Sequence, residues 1–206
     1  MLRLTLVRHG TIDWNEAGRY QGWGDRDLSG RGRAEAARLH ARIGAERFDR
    51  VVASDLRRAR ETAAIALPHA EVESDARLRE FHFGAWDGLT WDECVARDGD
   101  LMARWTEDPS QVVPPGGEAL ETFMGRVGAA LDELPAEGSV LWVVHAGVVH
   151  AVLARWLGVS LRQTFALHVA ACGLTRAEVF PGGGVRVLCV NDTGHMEGAR
   201  AITTSD

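Results

Sequence analysis

LTLVRHGTIDWN, at residues 4–15, begins as a buried strand and changes character within one residue. The apolar run at residues 2–7 predicts a strand. Arg8, His9 and Gly10 follow that run at once. Open α/β sheets bind ligands just beyond the carboxyl ends of their strands, so a cation, an imidazole and a glycine at this point predict a functional site.

Length and charge limit the classes of protein that this sequence fits. At 206 residues, with 46% hydrophobic residues, it predicts a single domain with a sizeable core. The net charge of -6 and the pI near 5.8 disfavour binding to nucleic acid or to an anionic membrane. An anion site would need a local concentration of arginine, which favours a small molecule as the partner.

The cysteines and the hydropathy pattern indicate the compartment. Cys94, Cys172 and Cys189 are odd in number and far apart, so they predict reduced, mostly buried thiols instead of disulfides or a zinc site. Arg3 and Thr5 interrupt the apolar core that a secretory signal needs, and no run is long enough to cross a bilayer. The sequence therefore predicts a cytoplasmic protein.

Two successive units of strand and helix are predicted in the first third of the chain. Ser29 is placed to cap a helix over Gly30–Ile43, which follows the first strand. Residues 50–53 predict a second strand, and Ser54 is placed to cap an alanine-rich helix that Pro68 ends. Repetition of this unit is typical of a parallel sheet.

A third unit and a helical insertion follow. The apolar run at residues 139–144 predicts a central parallel strand, and residues 148–157 predict the next helix. The stretch 71–134 is predicted to be mainly helical, with a capping box that begins at Thr90. We expect a cap insertion at about residues 81–135 within the domain.

The C-terminal part predicts closure of the sheet. Residues 174–180 and 185–190 predict two strands joined by the turn residues 181–184. The sheet edge exposed after Leu174 would allow a homodimer, and the tail from Gly194 is expected to fray. Together these elements predict a single three-layer α/β/α domain, with a mostly parallel central sheet flanked by helices.

Arginine or histidine follows each of three predicted strands. Because the carboxyl ends of parallel strands share one edge, these side chains are expected to lie together. Arginines bind phosphate oxygens in bidentate fashion, whereas a metal site would need carboxylates away from such positive charge. The pattern predicts a phosphate site without a metal ion or other cofactor. The stretches concerned are Arg8-His9-Gly10, Ser54-Asp55-Leu56-Arg57-Arg58 and His145-Ala146-Gly147.

Six stretches, in order along almost the whole chain, resemble the successive motifs of the histidine phosphatase superfamily, in its phosphoglycerate mutase-like branch. The triplet Arg8-His9-Gly10 alone would be a weak signal, whereas the ordered set is specific. The stretches are LVRHGTIDWNEAGRYQGWGDRDLSGRGRAEA (6–36), ASDLRRARETA (53–63), LREFHFGAWDG (78–88), PPGGEALETFMGRV (114–127), VVHAGVVHAVL (143–153) and NDTGHME (191–197).

The resemblance implies a catalytic role for five residues. His9 would be the nucleophile that carries a phosphohistidine. Arg8, Arg58 and His145 would hold the phosphoryl oxygens and stabilise the charge that develops on them. Glu80 would donate a proton to the leaving alcohol, which requires a raised pKa.

The resemblance also implies residues that bind the phosphate or the rest of the substrate. Asn15 would donate to the phosphate, Gln21 and Gly22 would continue that wall, and Ala146 would offer its backbone N–H. The sequence departs from the family pattern at residues 11–12, where Thr-Ile replaces the usual Glu-Thr. The apolar side chain at position 12 is expected near the mouth of the pocket.

The short segment between the proton donor and the third strand resembles phosphatases more than mutases, especially α-ribazole phosphatases. The predicted function is therefore the hydrolysis of a small phosphorylated metabolite, with α-ribazole 5'-phosphate as a candidate. A phosphoglycerate mutase and a non-catalytic phosphate-binding module are the alternatives. The tryptophans of the motif loops, such as Trp23 and Trp86, fit either a stacking surface for an aromatic leaving group or the core of the cap.

Overall fold

The structure, a computed structural model, describes residues 1–196. Six strands in this part of the chain form one sheet, and seven α-helices accompany them. The strands are β1 (Leu2–Arg8), β2 (Arg50–Ala53), β3 (Val72–Ser74), β4 (Gly138–Val144), β5 (Leu174–Val179) and β6 (Val185–Asp192). The helices are α1 (Asp13–Glu16), α2 (Gly30–Ile43), α3 (Arg57–Ala66), α4 (Trp91–Glu107), α5 (Leu120–Asp132), α6 (Ala146–Leu157) and α7 (Leu161–Thr164).

The sheet is mixed and mostly parallel, in the order β3-β2-β4-β1-β5-β6. The first four strands in this order run parallel, while β5 and β6 are antiparallel to their neighbours. Arg8 at the end of β1 pairs with Val144 at the end of β4, and Ala53 at the end of β2 pairs with Val143. The carboxyl ends of these three strands therefore share one edge.

Helices cover both faces of the sheet, which confirms the predicted layers. On one face, α5 and α6 pack against the strands, and on the other α2 and α3 do so. Alternate residues of a strand point to opposite faces, so β1 and β4 supply side chains to both cores. The first core includes Leu4, Trp142, Phe123 and Val148, and the second includes Val7, Leu141, Leu39 and Ala63.

The stretch predicted as mainly helical contains α4 and α5, together with a short strand that the prediction missed. Thr90 caps α4 in the predicted capping box with Glu93. Around α4 lies a separate small core that includes Trp86 and Met102, whereas α5 buries Phe123 in the core of the sheet. The strand β3 extends the sheet beyond β2, so the start of this mainly helical segment belongs to the sheet.

The start of α3 differs from the prediction. The helix begins at Arg57, and Leu56 rather than Ser54 occupies the N-cap position. The physical reason is that the Ser54 N–H donates to the Val143 carbonyl at 3.0 Å, which continues the strand ladder by one residue. Ser54 is therefore the last extended residue of the sheet instead of the first cap of the helix.

The C-terminal strands form the predicted hairpin, and β6 lies at the edge of the sheet. A homodimer at that edge stays a prediction. Residues 194–196 form a single 3-10 turn, and the rest of the tail expected to fray, residues 197–206, lies outside the described residues. No helix in the described range 1–196 has the length and apolarity needed to cross a membrane.

The loop after β1 lies directly against the first turn of α2. A methyl group added to Gly10 would lie 2.6 Å from the Gly32 carbonyl oxygen, and one added to Gly32 would overlap the Thr11 carbonyl oxygen. Real Cβ atoms do not approach carbonyl oxygens so closely, so only glycine fits on both sides. Contact between these two backbones fixes the loop that carries His9.

We expect Gly32→Ala to lower the free energy of unfolding by roughly 1–3 kcal/mol, because the added methyl group displaces this loop. The matched change Gly125→Ala should raise it by about 0.5–1 kcal/mol. Gly125 lies within α5 with nothing within 4 Å of its added methyl group. Urea unfolding followed by circular dichroism measures both values, and equal effects would contradict the contact.

Candidate active site

Three strand ends bring two histidines and an arginine into one buried cluster. His9 follows β1 and His145 follows β4, and their ring centroids lie 5.1 Å apart. Arg58, in the first turn of α3, places its Nε atom 3.2 Å from the Nε2 atom of His9. All three side chains are almost fully buried. The structure thus brings together three of the five residues predicted to be catalytic.

Hydrogen bonds assign the tautomer of His9. Its Nδ1 atom lies 2.7 Å from the Gly10 carbonyl oxygen, so this nitrogen carries the proton and donates it. Nε2 then accepts from Arg58 and holds the lone pair. Burial, followed by the charges of Arg58 and Arg8, holds the pKa of His9 well below its ordinary value of 6.5. The ring is therefore neutral, with its free electron pair directed into the cluster.

Backbone carbonyls hold the buried guanidinium of Arg58. Its Nη1 and Nη2 groups donate to the carbonyl oxygens of Gly24 and Gly22, at 3.0 and 2.7 Å. Both glycine N–H groups donate to the carboxylate of Asp87, at 2.6 and 2.7 Å. Burial lowers the pKa of Arg58 to about 10, so it is still a cation at neutral pH. The N–H of Gly22 is thus engaged by Asp87, while Gln21 beside it is half-buried.

Arg8 and His145 present buried nitrogens to the same region. Arg8 donates from Nη1 to the Val169 carbonyl oxygen at 2.7 Å. Its Nε atom and both ring nitrogens of His145 are buried without a hydrogen-bond partner among residues 1–196. Burial also lowers the pKa of both side chains. Ala146 begins α6 directly after His145, so the positive end of that helix faces the same place.

The carboxyl group of Glu80 is buried against the first turn of α6. Its two oxygens accept hydrogen bonds from the N–H groups of Phe81 at 2.8 Å and Gly147 at 3.0 Å. Burial raises the pKa of Glu80, although both hydrogen bonds and the charges of Arg58 and Arg8 oppose the shift. A raised pKa is the condition that a proton donor requires.

The two positions that depart from the family pattern lie on opposite sides of the loop. Ile12 is fully buried in the core of α2 and α3, so the expectation that it lies near the mouth of the pocket is wrong. Thr11 borders a cavity, and its N–H donates to Glu35 at 2.8 Å. Asn15 borders the same cavity and accepts the N–H of Ile12 at its Oδ1 atom.

This cavity, of about 790 Å³, opens beside Arg8. It lies between the loop after β1, one face of α2 and the segment before β5. Arg8 is the residue that this cavity shares with the cluster around His9, because the side chains of His9, Arg58 and His145 are buried away from the cavity lining. Its polar and charged lining side chains are those of Arg8, Thr11, Asn15, Glu16, Arg31, Glu35, Arg38, His168 and Thr193.

Several side chains that hold the site together were missed by the sequence reasoning. Thr62 accepts the N–H of Gly10 at 3.0 Å and donates to the Arg58 carbonyl at 2.6 Å, so it joins the loop that carries His9 to α3. Asp87 fixes the loop that holds Arg58. Arg126 donates to the main chain of Glu80. All three lie within motif stretches of the sequence, which was the only signal that pointed to them.

The sequence matches the histidine phosphatase superfamily (branch 1) over residues 4–193. The chain belongs to the histidine phosphatase superfamily. The resemblance drawn from the ordered motifs is thereby confirmed, and the match includes every residue of the site described above.

Two relatives within the histidine phosphatase superfamily are named as phosphatases. Phosphoserine phosphatase 1 of Hydrogenobacter thermophilus is 34% identical over 168 residues, which cover 79% of this chain and 80% of the relative. The adenosylcobalamin/alpha-ribazole phosphatase of Salmonella typhimurium is 35% identical over 161 residues, which cover 76% of this chain and 80% of the relative.

A third relative is longer. The bifunctional protein Rv2228c of Mycobacterium tuberculosis is 36% identical over 205 residues and 94% of this chain. The chain spans 55% of the length of that relative. The similarity therefore extends over one part of the longer protein.

Solved structures share the whole fold. The alpha-ribazole phosphatase of Shigella flexneri superposes with a TM-score of 0.85 at 27% identity, covering 99% of this chain and 100% of that one. YhfR of Bacillus stearothermophilus superposes with a TM-score of 0.87 at 31% identity, covering 96% and 100%. The predicted fold class, a sheet flanked by helices in the phosphoglycerate mutase-like arrangement, is confirmed.

We expect acid to destabilise the protein through its buried neutral histidines. The pKa of His145 lies well below 6.5, so between the two values the unfolded chain binds more protons. This contribution to stability is complete above pH 6.5 and is lost as the pH falls, by about 1.4 kcal/mol per unit. Urea unfolding at pH values between about 5 and 7.5 measures how the free energy of unfolding depends on pH. The slope of this dependence should be shallower for His145→Asn than for the wild type.

The exposed His69 supplies the matched control, because it lies on the surface after α3. We expect His69→Asn to keep the slope of the wild type. A slope in His145→Asn equal to that of the wild type would show that His145 is not buried as a neutral ring.

Proposed function

We propose that this chain is a phosphatase that hydrolyses the phosphomonoester of a small metabolite through a phosphohistidine on His9. The observation that carries the proposal is the state of that ring. It is neutral, Nδ1 donates to Gly10, and Nε2 directs its electron pair toward the Nε atom of Arg58 at 3.2 Å. A neutral imidazole held in one tautomer beside a cation is a prepared nucleophile for phosphorus.

The first step transfers the phosphoryl group to His9. When the dianion binds, the Nε–H of Arg58 donates its hydrogen bond to a phosphoryl oxygen instead of to the imidazole, because the charged oxygen is the stronger acceptor. This change of partner frees the lone pair on Nε2 of His9. A bond forms between Nε2 and phosphorus as the bond from phosphorus to the ester oxygen breaks. Glu80 gives its proton to that oxygen, and the alcohol leaves. Arg8 and His145, whose buried nitrogens lack partners among residues 1–196, donate to the phosphoryl oxygens.

The second step returns the site to its starting state. Glu80, now ionised, takes a proton from a water molecule as the water oxygen attacks phosphorus. The bond between phosphorus and Nε2 breaks, and its electron pair returns to His9. Orthophosphate leaves and Glu80 is again protonated. Every proton in the cycle is held by this chain, the substrate or water, so the mechanism we propose uses no metal ion.

We propose α-ribazole 5'-phosphate as the substrate. The support is the 35% identity with the Salmonella adenosylcobalamin/alpha-ribazole phosphatase and the TM-score of 0.85 with the Shigella alpha-ribazole phosphatase. The 34% identity with a phosphoserine phosphatase makes phosphoserine the second candidate. The mutase alternative requires that the phosphoryl group return to a second metabolite instead of to water.

Loss of the nucleophile should abolish turnover. We expect His9→Ala to release no orthophosphate from p-nitrophenyl phosphate above background, while the wild type stays active in excess EDTA. Unchanged turnover in His9→Ala would exclude the proposed nucleophile, and complete inhibition by EDTA would exclude the proposed metal-free mechanism.

Two adjacent arginines supply a matched control. Arg58→Ala should lower kcat by about 100- to 1000-fold, because it removes a charge beside the phosphoryl group. Arg57 is exposed and pairs with Asp25 and Asp27, so Arg57→Ala should keep most of the activity. Equal losses in the two variants would argue against a specific role for Arg58.

A comparison of substrates tests the specificity. We expect the highest kcat/KM for α-ribazole 5'-phosphate, a lower value for phosphoserine, and orthophosphate as the product of both. Incubation with 3-phosphoglycerate and 2,3-bisphosphoglycerate should give no efficient isomer exchange. Rapid exchange, detected by phosphorus NMR, would favour the mutase alternative.

A further inference from the structure

Arg126, in α5, uses all five of its N–H donors around the segment that carries Glu80. Its Nη1 group donates to the carbonyl oxygens of Arg77 at 2.7 Å and Arg79 at 2.6 Å. Its Nη2 group donates to the carbonyl oxygen of Glu80 at 2.8 Å and to Glu118 at 2.6 Å. The Nε–H donates to the second oxygen of Glu118 at 3.0 Å. One guanidinium therefore joins three main-chain carbonyls to one carboxylate.

This arrangement needs arginine. A guanidinium carries its five donors in a rigid plane, whereas a lysine ammonium has three donors on one atom and cannot reach the same acceptors. The carboxylate of Glu118 also accepts the N–H of His82 at 2.8 Å, so the pair spans both sides of Glu80. The side chains of Arg126 and Glu118 are only 15% and 11% exposed, which protects the contacts from water.

A tryptophan supplies a second donor to the same carbonyl. The Nε1–H of Trp23 donates to the Glu80 carbonyl oxygen at 2.8 Å. The guanidinium of Arg79 lies over the Trp23 ring, 4.6 Å from its centroid, and Arg79 itself is held by both oxygens of Asp55. Two independent side chains thus fix the main chain at Glu80, while the N–H of Gly147 meets its carboxylate.

We propose that Arg126 is a positioning residue for Glu80, which it holds at the place where the carboxyl group transfers its proton to the leaving group. The proposal rests on the proposed phosphatase function. Arg126 contacts the carbonyl of Glu80 and not its carboxylate, so it acts through the main chain. Its loss would shift the carboxyl group without removing it.

A positioning role for Arg126 predicts that the effect of its loss depends on the leaving group, whereas a general loss of structure would slow all esters alike. Protonation matters for a poor leaving group such as an alcohol, and matters little for p-nitrophenolate, which leaves as a stable anion. A displaced Glu80 would therefore lower kcat/KM, which reports the first step, for alkyl esters while leaving kcat/KM for the p-nitrophenyl ester almost unaffected. The second step, in which Glu80 acts on water, is common to both esters and enters kcat alone. The phosphoryl contacts of Arg8, Arg58 and His145 serve both kinds of ester equally.

The test compares p-nitrophenyl phosphate with p-nitrobenzyl phosphate, two esters of similar shape with leaving groups of very different acidity. We expect Arg126→Lys to lower kcat/KM for the benzyl ester by about 10- to 100-fold and for the phenyl ester by less than about 3-fold. Glu80→Gln should show the same selectivity to a larger extent. Released orthophosphate is measured for both esters, and circular dichroism verifies that each variant is folded.

Arg176→Lys is the matched control, because Arg176 forms a partly buried ion pair with Glu46 away from Glu80. It should change both esters by the same small factor. If Arg126→Lys does not fold, Trp23→Phe removes the second donor to the Glu80 carbonyl and should give the same selectivity. Equal loss on both esters, in whichever variant folds, overturns the positioning role alone. Failure of the wild type to hydrolyse either ester overturns the proposed function as well.

Discussion

Arg58 and His9 lie in contact where water does not reach, one as a cation and the other as a neutral ring. Burying a guanidinium is costly unless its donors are satisfied, and the carbonyls of Gly22 and Gly24 accept two of them. Those glycines are held in turn by Asp87. Burial of the imidazole, and after it the positive charge of Arg58, hold the pKa of His9 low, so the ring stays unprotonated and Nε2 keeps its electron pair.

The rest of the fold places these two groups. The strand ladder fixes His9 after β1 and His145 after β4, since the His9 N–H still donates to the Val144 carbonyl at 2.9 Å. Close contact with α2 prevents the loop after β1 from moving outward. Thr62 joins that loop to the helix that carries Arg58. The backbone of His9 and the helix that carries Arg58 are therefore positioned by the strand ladder, the contact with α2 and the hydrogen bonds of Thr62.

The sequence was sufficient for five of the six strands that the structure describes, and for the centre of the site. Apolar runs mark β1 and β4, and the rule that parallel strands end at one edge brings His9, Arg58 and His145 together without any knowledge of the loops. The ordered motifs added Glu80, which no local pattern singles out. The strands and the three strand-end residues follow from hydrophobic periodicity and from the topology of an α/β sheet, both of which can be inferred from the order of residues in the chain.

The remaining features depend on contacts between distant segments. Serine is a common helix cap, but the N–H of Ser54 donates to a carbonyl of β4, so this residue extends β2 instead of beginning α3. Ile12 was expected near the pocket because of its place after the histidine, yet the turn of the loop directs it into the core. The five hydrogen bonds of Arg126 involve residues up to 49 positions away. Such pairings are decided by packing, which spacing along one chain does not encode.

In the loop after β1, neighbouring residues have different surroundings: two are packed inside the protein and the one between them lines a cavity. Gly10 and Ile12 face inward, where backbone contact and core packing allow no other size of side chain. Thr11, between them, borders the cavity beside Arg8. A change of side chain at position 11 alters the wall of the cavity, whereas changes at positions 10 and 12 disturb the backbone contact and the core. Of these three neighbouring positions, position 11 is the one where a different side chain reaches the cavity while the backbone contact at Gly10 and the packing of Ile12 are kept.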